Sequence, residues 1–171
     1  SSDLFRLAFA PSDNNYTRLY LMSNQSDLSQ SLDGYFLRYG ENGSADGLDL
    51  WRQDGNQLTK IIDGIPNPNA ASSNQQIRVK VIRSALGEWQ LLADYTGGYF
   101  FQVLGTVTDN TFITGSGLGV WCKYTSSNAG NFYVDDVYAG PPVIDTDPPS
   151  IILAEVLSAD TVSLIFSEPL L

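Results

Sequence analysis

The chain has no histidine, one cysteine and one methionine among its 171 residues. Without histidine it lacks the usual general base of hydrolytic triads and the commonest transition-metal ligand. A single cysteine, Cys122, excludes an intrachain disulfide. It lies in Leu118-Gly119-Val120-Trp121-Cys122, among large apolar residues, and reads as a buried inert thiol rather than a nucleophile. Positive charge is scarce as well: nine Lys and Arg stand against nineteen Asp and Glu, for a formal charge of -10. That balance repels phosphate backbones and anionic membrane surfaces, so nucleic acid is not an expected partner. It suits a soluble protein in salty surroundings, or one that collects divalent cations. No run reaches the eighteen apolar residues a membrane span requires, so no membrane insertion is expected. The missing signal peptide decides nothing, because an exported chain would already have lost it.

A helical period is also missing. Short runs of period two alternate with turn signals, at 4–10, 17–23, 34–39, 47–53, 57–62, 76–83, 88–94, 99–106, 117–124 and 132–138. Between them lie Asp54-Gly55, Gly97-Gly98 and Asn128-Ala129-Gly130, which supply the positive φ angles of tight hairpins. About ten strands so joined make an all-β antiparallel sandwich, two sheets packed face to face. Alternation sorts inner from outer positions. Ile77, Val79 and Val81 oppose Arg78 and Lys80. Leu48 and Leu50 oppose Asp49, Trp51 and Gln53, and Leu118, Val120, Cys122 and Tyr124 oppose Trp121 and Lys123. The first set in each case is a core stripe; the second is polar yet carries tryptophans. Trp89 shares a face with Leu91 and Ala93 and belongs to the core.

Residues 140–150, Gly-Pro-Pro-Val-Ile-Asp-Thr-Asp-Pro-Pro-Ser, hold four prolines. Each removes an amide donor and fixes a torsion, so neither a helix nor a central strand continues through them. The segment reads as a stiff extended spacer. The expected organisation is one domain over 1–140, a linker over 141–150, and over 151–171 two strand-like runs too few to bury a core alone. Such a chain reads as part of a longer protein built as domains on a string, with neighbouring domains among its partners.

Several of the strands resemble a domain of large exported Bacteroidetes proteins. The matching stretches are Asp33-Gly34-Tyr35-Phe36-Leu37-Arg38-Tyr39-Gly40-Glu41-Asn42-Gly43 and Asp46-Gly47-Leu48-Asp49-Leu50-Trp51-Arg52-Gln53-Asp54-Gly55, followed by Gly105-Thr106-Val107-Thr108-Asp109-Asn110, Cys122-Lys123-Tyr124-Thr125-Ser126 and Asn131-Phe132-Tyr133-Val134-Asp135-Asp136-Val137. The resemblance implies a concanavalin A-like lectin/glucanase jelly roll on a secreted or cell-surface bacterial protein. The tail, Asp147-Pro148-Pro149 and then Val162-Ser163-Leu164-Ile165-Phe166-Ser167-Glu168-Pro169, resembles the opening of a bacterial Ig-like module. Neither resemblance brings a defined activity, since the jelly roll hosts lectins, glycosidases, adhesins and spacers.

Three chemistries follow for inspection. Glycoside hydrolysis needs two carboxylates across the scissile bond. Related glucanases carry Glu-x-Asp-x-x-Glu along one strand; here Glu41, Glu88, Glu155 and Glu168 stand apart, and Asp49 lacks an evident partner. Sugar binding needs less: an exposed ring for the apolar sugar face and polar groups for its hydroxyls. Trp51 with Asp49 and Gln53, and Trp121 with Lys123 and Arg38, supply these if their strands share one sheet; otherwise the tryptophans only cover it. Third, Asp135 and Asp136 close the last strand, as paired aspartates do in many carbohydrate-binding sandwiches. With Asp109, Asn110 or Asp13 they offer oxygen ligands to calcium, which would be structural; solvated or backbone-bonded aspartates are the plainer reading. No cofactor is required. The sequons at Asn15-Tyr16-Thr17, Asn24-Gln25-Ser26 and Asn42-Gly43-Ser44 read as chance matches. The leading expectation is a non-catalytic binding or adhesion module with a glycan as its ligand, against a structural spacer and, third, a glycosidase.

Overall fold

A computed structural model describes residues 3–41, 46–141 and 146–168. The sequon at Asn42 and residues 142–145 of the proline-rich stretch lie outside the described residues. The chain divides into two compact units, Ser1–Gly140 and Pro141–Leu171.

The first unit is built from β1 (Asp3–Leu7), β2 (Tyr16–Ser23), β3 (Gly34–Tyr39), β4 (Leu48–Asp54), β5 (Gln57–Ile62), β6 (Gln75–Arg83), β7 (Glu88–Asp94), β8 (Gln102–Thr108), β9 (Gly117–Lys123) and β10 (Phe132–Asp135). Two five-stranded antiparallel sheets result, in the orders β10-β1-β6-β7-β8 and β5-β4-β3-β2-β9. They pack as a sandwich, so the all-β reading stands. One inner face brings Phe5, Leu7, Ile77, Val79, Trp89, Leu91 and Leu104; the other brings Leu19, Tyr35, Leu37, Tyr39, Leu48, Leu50 and Ile62. Burial of these alternate side chains is the main stabilising term, at roughly 25 cal/mol per Å² of apolar surface. The first and last strands of the unit are neighbours, with Leu4 opposite Asp135.

Three local departures from the sequence pattern have physical causes. The run at 99–106 starts late, at Gln102, because Asp94 ties the preceding loop to itself. Its carboxylate accepts from the Thr96 amide at 2.8 Å, the Thr96 hydroxyl at 2.6 Å and the Phe100 amide at 2.9 Å, and Gly97 takes a φ of 76°. Tyr99 and Phe100 are left in solvent. The run at 132–138 stops at Asp135, because Asp136 adopts a left-handed φ of 56° that no strand continues through. The expected core stripe of β9 is not buried. Leu118 is 46% exposed and Val120 42%, because β9 is an edge strand and the short β10 of the facing sheet covers little.

In the second unit, β11 (Ile151–Ser158) and β12 (Thr161–Phe166) form an antiparallel hairpin. Every residue of β11 is exposed, so the hairpin encloses no core of its own.

Candidate functional site

The outer face of the sheet β5-β4-β3-β2-β9 gathers the side chains that oppose its core stripes. Pairing register sets them in rows. Lys60, Trp51, Phe36 and Tyr20 stand opposite one another in turn, and beside them run Asp49, Arg38, Arg18 and Trp121. Tyr16 faces Lys123 at the end of β2. Thus Arg38, Asp49, Trp51, Gln53, Trp121 and Lys123, expected from sequence as ligand contacts, come from three strands onto one face. Their environments differ.

Over β4 and β3 the face is roofed. The loop between β2 and β3 is pinned by paired bonds of Asn24 with Asp33, and by the Gly55 amide donating to Asp33 at 2.9 Å. It presses Leu28 and Leu32 onto Tyr20 and Phe36. Trp51 stacks on Phe36, with ring centroids 6.2 Å apart and planes 5° apart, and its indole nitrogen is buried. Gln53 is buried too, accepting from the Tyr20 hydroxyl at 2.8 Å and donating to the Gly55 carbonyl at 2.8 Å. Asp49 is 1% exposed. It accepts from the Gly64 amide at 2.9 Å and meets Lys60 Nζ at 2.9 Å. Burial, and then its hydrogen bond with Glu41, push its carboxyl up to about 7. Burial works against Glu41 as well, but bonds from Asp49 and Lys60 hold it below the usual carboxylate range. Lys60 joins Glu41, Asp49 and Asp63 through one ammonium, at 2.6, 2.9 and 2.7 Å. These carboxylates are therefore neighbours around a fixed cation, not partners across a cleft.

Over β2 and β9 burial is graded: Tyr20 and Tyr16 are buried, Arg18 and Trp121 half-buried, and Lys123 exposed. Tyr16 is ringed by cations, with Arg38 at 4.2 Å and Arg18 and Lys123 at 5.6 Å from its ring centroid. Arg18 lies between Phe36 and Trp121, 4.8 Å from each ring. Cation–π contacts of this kind hold a planar guanidinium in place. Arg38 pairs with Asp13 at 2.8 Å, and Lys123 donates to the Asp13 carbonyl at 2.8 Å. Arg18 meets no carboxylate among the described residues. Its two terminal nitrogens reach the Tyr20 and Tyr16 hydroxyls only at 3.4 Å, and its buried Nε donates to no acceptor among the described residues.

The aspartates expected around calcium are not brought together. Asp135 ends β10 at one edge of its sheet, while Asp109 follows β8 at the other. Four strand spacings separate those edges, roughly 19 Å. Asp135 and Asp136 are both exposed; Asp135 accepts from the Asp136 amide, and Asp136 lies 3.4 Å from Arg78. Asp109 is buried, accepting from the Tyr35 hydroxyl at 2.6 Å, the Thr111 amide at 3.0 Å and Arg52. Burial opposes its charge, but these bonds hold its carboxyl below the usual range. Asp109 thus clamps one sheet to the other. No group of three or more His, Cys, Asp or Glu suited to a metal occurs among the described residues. Cys122 is half-buried against the Thr17 hydroxyl at 3.6 Å, and burial pushes its thiol up.

Sequence reasoning missed Tyr16, Arg18, Tyr20 and Phe36. The signal was available: Arg18 and Tyr20 oppose Leu19 and Leu21 just as Trp51 opposes Leu50. No family model, curated protein or solved structure matches the chain.

Proposed function

We propose that the first unit is a non-catalytic extracellular binding or adhesion module of the concanavalin A-like jelly-roll kind, with carbohydrate as its ligand. The second unit, in the same reading, opens an Ig-like domain within a longer secreted or cell-surface chain. One observation carries the binding reading. Four of the nine cations of a chain with formal charge -10, Arg18, Arg38, Lys60 and Lys123, share one sheet face with two half-buried tryptophans. Polar donors fixed against aromatic rings are what a sugar hydroxyl needs. The ring faces themselves are largely taken by Arg18, Arg38 and Lys60, so the contact is made chiefly through hydrogen bonds rather than by stacking. Carboxylates gathered on Lys60 favour binding over hydrolysis.

A glycan array on the full chain, with calcium and again with a chelator, tests this. Selective binding that is lost in a folded Trp121→Ala protein supports the module. Loss on chelation alone would make calcium part of the site. A second reading, a structural spacer, draws on the roof over Trp51; absence of binding by the folded protein under every condition would favour it.

A further inference from the structure

Three cations converge on one tyrosine ring with a single carboxylate, Asp13, paired among them. Like charges gathered in this way repel one another, and the fold needs no such gathering to close its sheet. A chain with nine cations and nineteen acids has ample carboxylates to neutralise them, as it does around Lys60. It does not do so here. Arg18 is the sharpest case. Its phenolic contacts at 3.4 Å are beyond the distances of a good charge-assisted bond, roughly 2.7–2.9 Å, and its charge meets no acid among the described residues. Yet its plane is fixed by Phe36 and Trp121, so little freedom is lost when an anion arrives.

We infer that this face takes an acidic glycan, and that Arg18, Arg38 and Lys123 receive its anionic group beside Tyr16. The inference rests on the proposed binding role and narrows its ligand. Uronic carboxylates and sulfate esters share the required chemistry: a compact anion with several acceptor oxygens, matched to the donors of a guanidinium. The formal charge of -10 repels a polyanion over the rest of the surface, so attraction is confined to this cluster. The hollows elsewhere on this unit suit it less. One of about 540 Å³ includes Ser84, Glu88, Gln90 and Thr106, another of about 300 Å³ includes Asn69, Asn74, Gln76 and Thr96, and neither is lined by a cation.

The test is a calorimetric and tryptophan-fluorescence titration of the full chain. The probes are oligogalacturonate, oligomannuronate and a sulfated galactan oligosaccharide, against the methyl esters of the first two and the desulfated form of the third. Arg18→Gln, Arg18→Lys and Lys80→Gln are titrated alongside. Arg18→Gln and Lys80→Gln alter net charge equally, but Lys80 stands on β6 of the other sheet. The expected result is at least tenfold tighter binding of one acidic probe than of its neutral form, weakening as salt is raised. Arg18→Gln removes that preference, Arg18→Lys restores part of it, and Lys80→Gln leaves it unchanged. Which acidic probe binds separates carboxylate from sulfate. Neutral forms binding as well as acidic ones, or equal losses in Arg18→Gln and Lys80→Gln, would overturn the inference and leave the binding role standing. A glutamate-rich peptide bound in preference to every sugar would overturn both, as would no binding by folded protein. Should Arg18→Gln fail to fold, Lys123→Gln on the edge strand carries the same comparison.

Discussion

The Asp109 junction and the Tyr16 cluster are made from the same side chains, arginine, tyrosine, tryptophan and aspartate, and differ in who answers whom. At the junction, Tyr35 and Arg52 from one sheet converge on a carboxylate that follows β8 of the other, and Trp89 donates to the Asp109 carbonyl at 2.9 Å. Charge is answered within the protein there, although Arg52 Nε, like Arg18 Nε, is buried without a partner among the described residues. At the cluster, cations outnumber the acid beside them, and the central guanidinium rests on rings rather than on carboxylates. The lesson is that arginine has two uses in one sandwich. One fixes sheet to sheet. The other holds charge ready at a surface.

The comparison can be broken most forcefully at the junction. Asp109→Asn should cost about 3 kcal/mol at neutral pH, because it leaves Arg52 facing a buried uncharged partner; urea unfolding measures this. The Asp109 carboxyl is held below its ordinary value, so its stabilisation is present above about pH 4 and is lost as pH falls. The gap between parent and variant should therefore narrow as pH falls below about 4. Tyr35→Phe removes one donor to the same carboxylate and should cost about 1–2 kcal/mol. An unchanged midpoint in both variants would mean that Asp109 does not join the sheets.

Asp49 gives an effect of opposite sign. Its carboxyl is raised to about 7, so between about pH 4 and 7 the folded chain binds more protons there than the unfolded one. That contribution is full at low pH and lost as pH rises. The stability of the parent relative to Asp49→Asn should fall across this window in thermal melts at successive pH values, and a flat difference would refute the assignment. Glu41, held low, contributes with the reverse sign in the parent and partly offsets the slope. The smallest effect is expected at the cluster. Lys123→Gln relieves repulsion while removing a bond to a backbone carbonyl and the 5.6 Å contact with the Tyr16 ring, so stability should change by less than about 0.5 kcal/mol while acidic-glycan binding falls. A large loss of stability there would erase the contrast between the two regions.

Much of the architecture was legible because strand alternation is a local property. Leu48, Leu50, Trp51 and Gln53 declare their faces within a few residues, and so do Ile77 and Val79. The same rule placed Trp51 and Trp121 on outward faces before their strands were known to be neighbours. What it could not supply was strand order. Asp109 and Asp135 look equally able to serve one ion in sequence, and only the path β10-β1-β6-β7-β8 puts a sheet between them. Burial of Asp49 and Gln53 was hidden for a related reason, since the roof and Lys60 come from other parts of the chain. The β9 stripe misled because alternation reports a face, not whether anything stands opposite it.

The adjacency of β1 and β10 has a mechanical consequence. Leu4 faces Asp135, so the chain reaches the sandwich and leaves it at one corner, about 5 Å apart across an antiparallel pair. Tension along the polypeptide would load that pair from one end and open its ladder bond by bond, as a zipper, instead of shearing all of its bonds together. A folded sandwich pulled from both of its ends would hang beside the line of force and add little to the span between them.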